Sequence, residues 1–132
     1  MRIIIILLLL QLLLGCESTA IYTARGKTPS RTVETGKTEY MVASWYGNPF
    51  HGRQTASGEI YNMYDLTAAH RTLPFGTILR LINELNGKEV IVRINDRGPV
   101  PRERDIDVSY RVAQELDFVN MGICRLKVVF LE

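Results

Sequence analysis

Cysteine, histidine and tryptophan are scarce in this chain of 132 residues, which holds two Cys, two His and one Trp. No Cys or His pair has the spacing of a zinc site, so neither a metal nor another cofactor is expected. Charge of one sign is missing as well. The 16 Lys and Arg stand against 14 Asp and Glu, a formal net charge of +2, which gives no electrostatic case for binding nucleic acid. No apolar run reaches the ~20 residues that a membrane-spanning helix needs. No repeat period is present, which excludes solenoids and propellers. The length suits one domain and not two.

What is there begins with a compartment signal. Met1 and Arg2 give a positive start, and Ile3 to Leu14 is then apolar apart from Gln11. This is the pattern of a secretory signal. It ends in Leu13-Leu14-Gly15-Cys16, which resembles the bacterial lipobox. The resemblance implies cleavage before Cys16 and a lipid on that cysteine, hence attachment to a membrane. The alternative is an ordinary signal that happens to contain a cysteine. Glu17 follows where Asp would favour retention at the inner membrane, so the expectation is an envelope protein on the outer membrane, facing the periplasm. With Cys16 lipidated, Cys124 has no disulfide partner and reads as a small buried hydrophobe. Residues 17–38 are rich in Thr, Ser, Lys and Arg, include Gly26, Pro29 and Gly36, and show no apolar period. The expected layout is a signal over 1–15, a lipidated cysteine and flexible tether over 16–38, and a folded domain over 39–132.

From Tyr40 the pattern is one of short strands and turns. Met41 to Tyr46 and Leu66 to Ala69 read as strands, with a loop over Asn48 to Gly58. Thr77 to Asn83 and Lys88 to Asn95 flank Asn86-Gly87, a hairpin signal, and Val90, Val92 and Ile94 share one face. Ser109 caps a helix to about Leu116 that sets Val108, Val112 and Leu116 on one side. Gly122 precedes a last strand with Leu126, Val128 and Phe130 inward. About six strands and one helix in under a hundred residues argue a mainly β fold, a small barrel.

Four blocks carry a resemblance. They are Ala43-Ser44-Trp45-Tyr46-Gly47 with Phe50 to Glu59, then Leu66 to Thr77, then Val92 to Pro99, then Asp105-Ile106-Asp107-Val108-Ser109. Together they resemble the domain of the rare lipoprotein A (RlpA) family, from about Ala43 to Leu131. The resemblance implies a six-stranded double-psi β-barrel with one or two short helices. It also implies lytic cleavage of peptidoglycan glycan strands, which makes those strands the partner. Two positions depart from the family pattern: Asn62 replaces a common Asp, and Asp117 replaces the Gly often found after the helix.

A lytic transglycosylase protonates the leaving glycosidic oxygen and lets the muramic sugar's own 6-hydroxyl attack, leaving a 1,6-anhydro end. The resemblance places the acting carboxylate at Asp96, at a strand end before a Gly-Pro turn; the local alternative is an Asx turn near Gly98. Glu59 is the second carboxylate implied, and two carboxylates facing one cleft push one pKa up. Its alternative is an exposed loop residue. His70 matches a family active-site position and orients a carboxylate or meets substrate, or else is satisfied by backbone groups. Trp45 and Tyr46 are candidate platforms for sugar rings, but strand neighbours point to opposite faces, so one of them belongs to the core. Arg97 either binds a muramic carboxylate or braces Asp96 or Asp107. The rival function is a module that binds or loosens glycan without cutting it, as expansins do.

Overall fold

A computed structural model describes residues 34–131. The signal, Cys16 and all of the tether up to residue 33 lie outside the described residues. The elements are β1 (Glu34–Tyr46), β2 (Thr67–His70), β3 (Ile78–Asn83), β4 (Lys88–Asp96), β5 (Ile106–Ser109), the short helix α1 (Tyr110–Glu115) and β6 (Ile123–Leu131). The six strands close into a barrel in the order β1-β5-β2-β4-β3-β6. β1 with β5 and β2 with β4 run parallel, and the other neighbours are antiparallel.

Alternation along the strands builds the core. Met41 and Ala43 of β1, Leu79 and Leu81 of β3, Val92 and Ile94 of β4, Ile106 and Val108 of β5, and Leu126 and Val128 of β6 all face inward and are buried. Each Leu or Ile buried in this way stabilises the fold by about 1.5–3 kcal/mol. Cys124 is a free, buried thiol on the same face of β6. α1 closes one end of the barrel with Val112 and Ala113, and Leu116 at its C-cap is fully buried. The Ser109 side chain accepts from the Val112 N–H, as the sequence implies for an N-cap.

Several boundaries differ from the sequence reading. β1 starts at Glu34 and not near 39, because residues 34–38 pair with the end of β6 across a bulge, Glu34 opposite Leu131 and Thr38 opposite Val129. Leu66 is exposed and stands outside β2. Phe130 is only partly buried, packed at the margin of the core. The β3–β4 turn holds four residues, 84–87, since Asn83 pairs with Lys88. Gly87 takes φ +75 there, while Asn86 uses its side chain instead, donating to the Leu116 carbonyl and accepting from the Lys88 N–H.

The end of β4 is irregular. Ala68 pairs with Ile94 but Ala69 pairs with Asp96, so Asn95 is an extra residue bulged out of β4. In a regular strand Asp96 would follow Val92 and Ile94 into the core. The bulge breaks that alternation: Asn95 is buried and Asp96 is partly exposed.

Candidate active site

Ala69 is a buried, small residue on β2, with Asp96 beside it on β4 and Asp107 beside it on β5. Two strand spacings separate the aspartates, ~10 Å between backbones. Both line a cleft of about 540 Å³, together with Tyr46, Phe50, Arg104 and the segment 97–101.

Tyr46, at the end of β1, forms one side. Its ring stacks on Tyr61 at 4.2 Å between centroids and meets Phe50 edge-on at 5.9 Å. Its hydroxyl donates to Asp96 Oδ2 at 3.3 Å. Burial first, and then the Asp96 charge, push the phenol far above its ordinary value, so it remains a donor. The Tyr61 hydroxyl donates to the Tyr46 carbonyl, and burial raises its pKa too.

Asp96 Oδ1 accepts from two backbone amides, Ala56 N–H at 2.9 Å and Arg97 N–H at 2.8 Å. The first comes from the long β1–β2 connection, where Tyr61 N–H donates to the Arg53 carbonyl and Thr55 N–H to the Glu59 carbonyl, both at 2.7 Å. That small hairpin brings its tip down on Asp96. Oδ1 is therefore fixed by the backbone, and Oδ2 keeps capacity for a further partner beside the Tyr46 hydroxyl.

Asp107 makes a short hydrogen bond with Ser44 Oγ, and Arg104 reaches both, donating to Ser44 Oγ at 2.6 Å and lying 3.6 Å from Asp107 Oδ1. Sequence reasoning gave Asp107 no role of its own. The signal was present in the alternation of β5: Ile106 and Val108 face the core, so Asp107 faces out beside the outward face of β1.

The other candidates sit elsewhere. Glu59 lies outside the lining of the cleft, exposed and paired with Arg93 at 3.0 Å. That guanidinium, and then Asn95, lower its pKa, opposite to the rise anticipated for a carboxylate sharing a cleft. His70 also lies outside the lining, and its Nδ1 accepts from the Thr72 and Leu73 N–H groups, each at 3.1 Å. Burial first, and then Arg71, lower its pKa. Arg97 borders the cleft, but its guanidinium turns to the His70 and Leu73 carbonyls at 3.2 and 2.8 Å and lies 3.9 Å from the Phe75 ring centre. It braces neither aspartate with its side chain. Trp45 touches the cleft, yet its indole N–H donates to the Val119 carbonyl and its ring packs by Tyr110, so Tyr46 is the aromatic turned to Asp96. Among the described residues no three His, Cys, Asp or Glu side chains are grouped as metal ligands would be.

Residues 38–128 match the lytic transglycolase family. The chain belongs to that family. A relative from Neisseria meningitidis, an endolytic peptidoglycan transglycosylase RlpA, is 56% identical over 117 residues, which are 87% of this chain and 48% of the relative. The protein of that name from Pseudomonas aeruginosa is 48% identical over 109 residues, 81% of this chain and 32% of the relative. The chain thus spans less than half the length of either. Among solved structures, an expansin from Clavibacter michiganensis superposes with a TM-score of 0.59 at 19% identity, over 73% of this chain and 51% of the expansin. A Streptomyces papain inhibitor superposes with a TM-score of 0.58 at 18% identity, over 74% of this chain and 96% of the inhibitor. These likenesses concern the fold alone, and they bear out the six-stranded double-psi β-barrel implied by the sequence blocks.

Proposed function

We propose that this member of the lytic transglycolase family is an endolytic peptidoglycan transglycosylase, cutting between muramic acid and the next sugar and leaving 1,6-anhydro ends. The observation that carries the reading is Asp96: a carboxylate in a cleft, one oxygen fixed by two amides and the other free to meet a substrate beside a protonated Tyr46. In its protonated form, with the proton on Oδ2, Asp96 gives that proton to the leaving glycosidic oxygen as the bond to C1 breaks. The muramic 6-hydroxyl then closes on C1, and its proton returns to Asp96. No water enters the products. Positive charge builds at C1 in between, and Asp107 supplies a second negative group facing the same cleft. Glu59 acts from outside, through its ion pair with Arg93 on the strand that ends in Asp96. Tyr46, with Phe50 at its edge, gives the sugar an aromatic face.

We further place a lipid on Cys16 and the domain in the envelope at the outer membrane, on the strength of Leu13-Leu14-Gly15-Cys16 and Glu17. The intact mass of protein isolated from membranes tests this: a diacylglycerol-bearing Cys16 supports it, and an unmodified thiol there ends it.

The cleavage is tested by incubating the chain with purified peptidoglycan, both intact and stripped of stem peptides, and reading products by mass spectrometry. New 1,6-anhydro ends that vanish in Asp96→Asn, with the variant still folded, are the expected result. New reducing ends indicate hydrolysis instead. Sedimentation with the wall without new ends indicates a glycan-binding module.

A further inference from the structure

One wall of the cleft is a segment that buries Pro99 but exposes most of its other side chains. It belongs to the β4–β5 connection, residues 97–105, and Val100 near its tip is 92% exposed. β1 holds its far end, where Val42 and Asp105 exchange two hydrogen bonds at 2.8 Å and Arg104 reaches Ser44, and the neighbouring β2–β3 connection, residues 71–77, holds it through two arginines that cross in opposite directions. Arg71 donates to the Pro101 carbonyl at 2.6 Å and to the Arg104 carbonyl. Arg97 donates back to the His70 and Leu73 carbonyls and lies over Phe75. One nitrogen of Arg71 thus spans two carbonyls of the β4–β5 connection, and one nitrogen of Arg97 spans the carbonyl at the end of β2 and that of Leu73.

This clasp works only if the 70–73 turn presents its carbonyls in place, and the turn is organised by His70. Its Nδ1 gathers the Thr72 and Leu73 N–H groups. Both partners are donors, so Nδ1 carries the lone pair and the ring is neutral with its proton on Nε2. An asparagine or aspartate oxygen collects the amides two and three residues ahead in the same way in turns and caps.

We propose that His70 is a positioning residue and not an acid or base: as a neutral imidazole it sets the 70–73 turn, and through the Arg71–Arg97 clasp it fixes the cleft wall that carries Pro101 and Arg104. The charged groups around it are Arg71 and Arg97 on the two connections, Glu39 on β1 and Asp105 at the entry to β5. Burial first, with the two arginines, lowers its pKa against the pull of the two carboxylates, which suits the acceptor role.

The inference rests on the cleft being the site of glycan cleavage, and its test separates the two ideas. Asn places Oδ1 where His places Nδ1, the same number of bonds from the backbone, but it neither carries nor transfers a proton at these pH values. His70→Asn and His70→Ala are made in the full chain. Peptidoglycan digestion is followed as kcat and KM, and backbone amide hydrogen exchange by NMR. The expected result is that His70→Asn stays within about threefold of the original kcat while His70→Ala loses tenfold or more. Exchange at Thr72, Leu73 and Arg104 should quicken in His70→Ala and not in His70→Asn. If both variants stay folded and lose activity equally, His70 does proton chemistry and the proposal is overturned. If the original protein cuts nothing, the functional reading fails, and exchange alone decides the clasp: unchanged protection of Arg104 in His70→Ala overturns it.

Discussion

Asp117 is the one non-glycine among the described residues with positive φ, at 57°. It follows the end of α1, where a left-handed residue ends a helix most easily as glycine. Its carboxylate approaches Lys88 at 3.6 Å, but both are well exposed and such a pair is worth little. Asp117→Gly should therefore raise stability by about 1 kcal/mol, seen as a higher urea midpoint with unchanged slope. A lower midpoint would show that the Lys88 contact outweighs the backbone strain. Titration is a second matter at this scale. His70 is harder to protonate folded than unfolded, so the unfolded chain takes the proton first. Its contribution is complete above the unfolded value of 6.5 and declines as pH falls below it, until the folded chain is protonated as well. Glu59 follows the same direction lower down, complete above 4.5 and lost as pH falls through its lowered folded value. Urea midpoints measured from about pH 7.5 to 5 should show the upper decline in the original protein and lack it in His70→Asn. Individual side chains were unevenly legible in the sequence. Asp96 could be named through the resemblance, its local pattern alone reading as an Asx turn, and Tyr46 only as one of a pair with Trp45. The reversal at Glu59 depends on Arg93, 34 residues away, and no local pattern announces that partner.

Elements built from neighbours in sequence were read nearly as they stand. α1 is an example: Ser109 accepts from Val112 N–H at 3.2 Å and donates to the Asp65 carbonyl at 2.5 Å, tying the helix start to the loop before β2. Ser109→Ala removes both bonds at a fully buried site and leaves the Asp65 carbonyl short of a partner. The loss should be about 1–2 kcal/mol, lowering the melting temperature by several degrees. A shift under one degree would mean that other groups cap this helix. The β3–β4 hairpin was legible in existence but not in loop length, because Asn86 is drawn to Leu116, a partner outside the hairpin. The bulge at Asn95 was not legible at all. It is a mismatch between β4 and β2, two strands joined only through β3, and it exists only once they pair in parallel. Yet it re-aims Asp96, so the position of the central carboxylate was readable while the device that exposes it was not.

At the scale of the molecule, closure of the barrel depends on β1, which pairs with β6 along its length and with β5 at its far end. The cleft sits at that far end, where Tyr46 pairs with Ser109 and Ser44 with Asp107. Composition located the domain start near residue 39 because Lys37, Thr38 and their neighbours are polar and carry no apolar period. Burial confirms their polarity, since Gly36, Lys37 and Thr38 are exposed, but strand pairing is a backbone property and does not need an apolar side chain. Residues 34–38 continue the ladder to Leu131, and Lys37 lies over the Phe130 ring at 4.4 Å from its centre. A domain begun at Glu39 leaves the end of β6 unpaired on that side and uncovers Phe130. It should still fold, because the inward-facing residues of β1, Met41 and Ala43, are retained. Its stability should fall by about 1–3 kcal/mol relative to a domain begun before Glu34, the value of a few backbone hydrogen bonds and one cation–π contact. Amide exchange should quicken at Val129 and Leu131 and stay slow at Tyr46 and Asp107, since closure near the cleft is carried by β5. Equal melting of the two domains would place the functional start of the barrel at 39, and exchange that quickens at Tyr46 would show that the two ends of β1 open together.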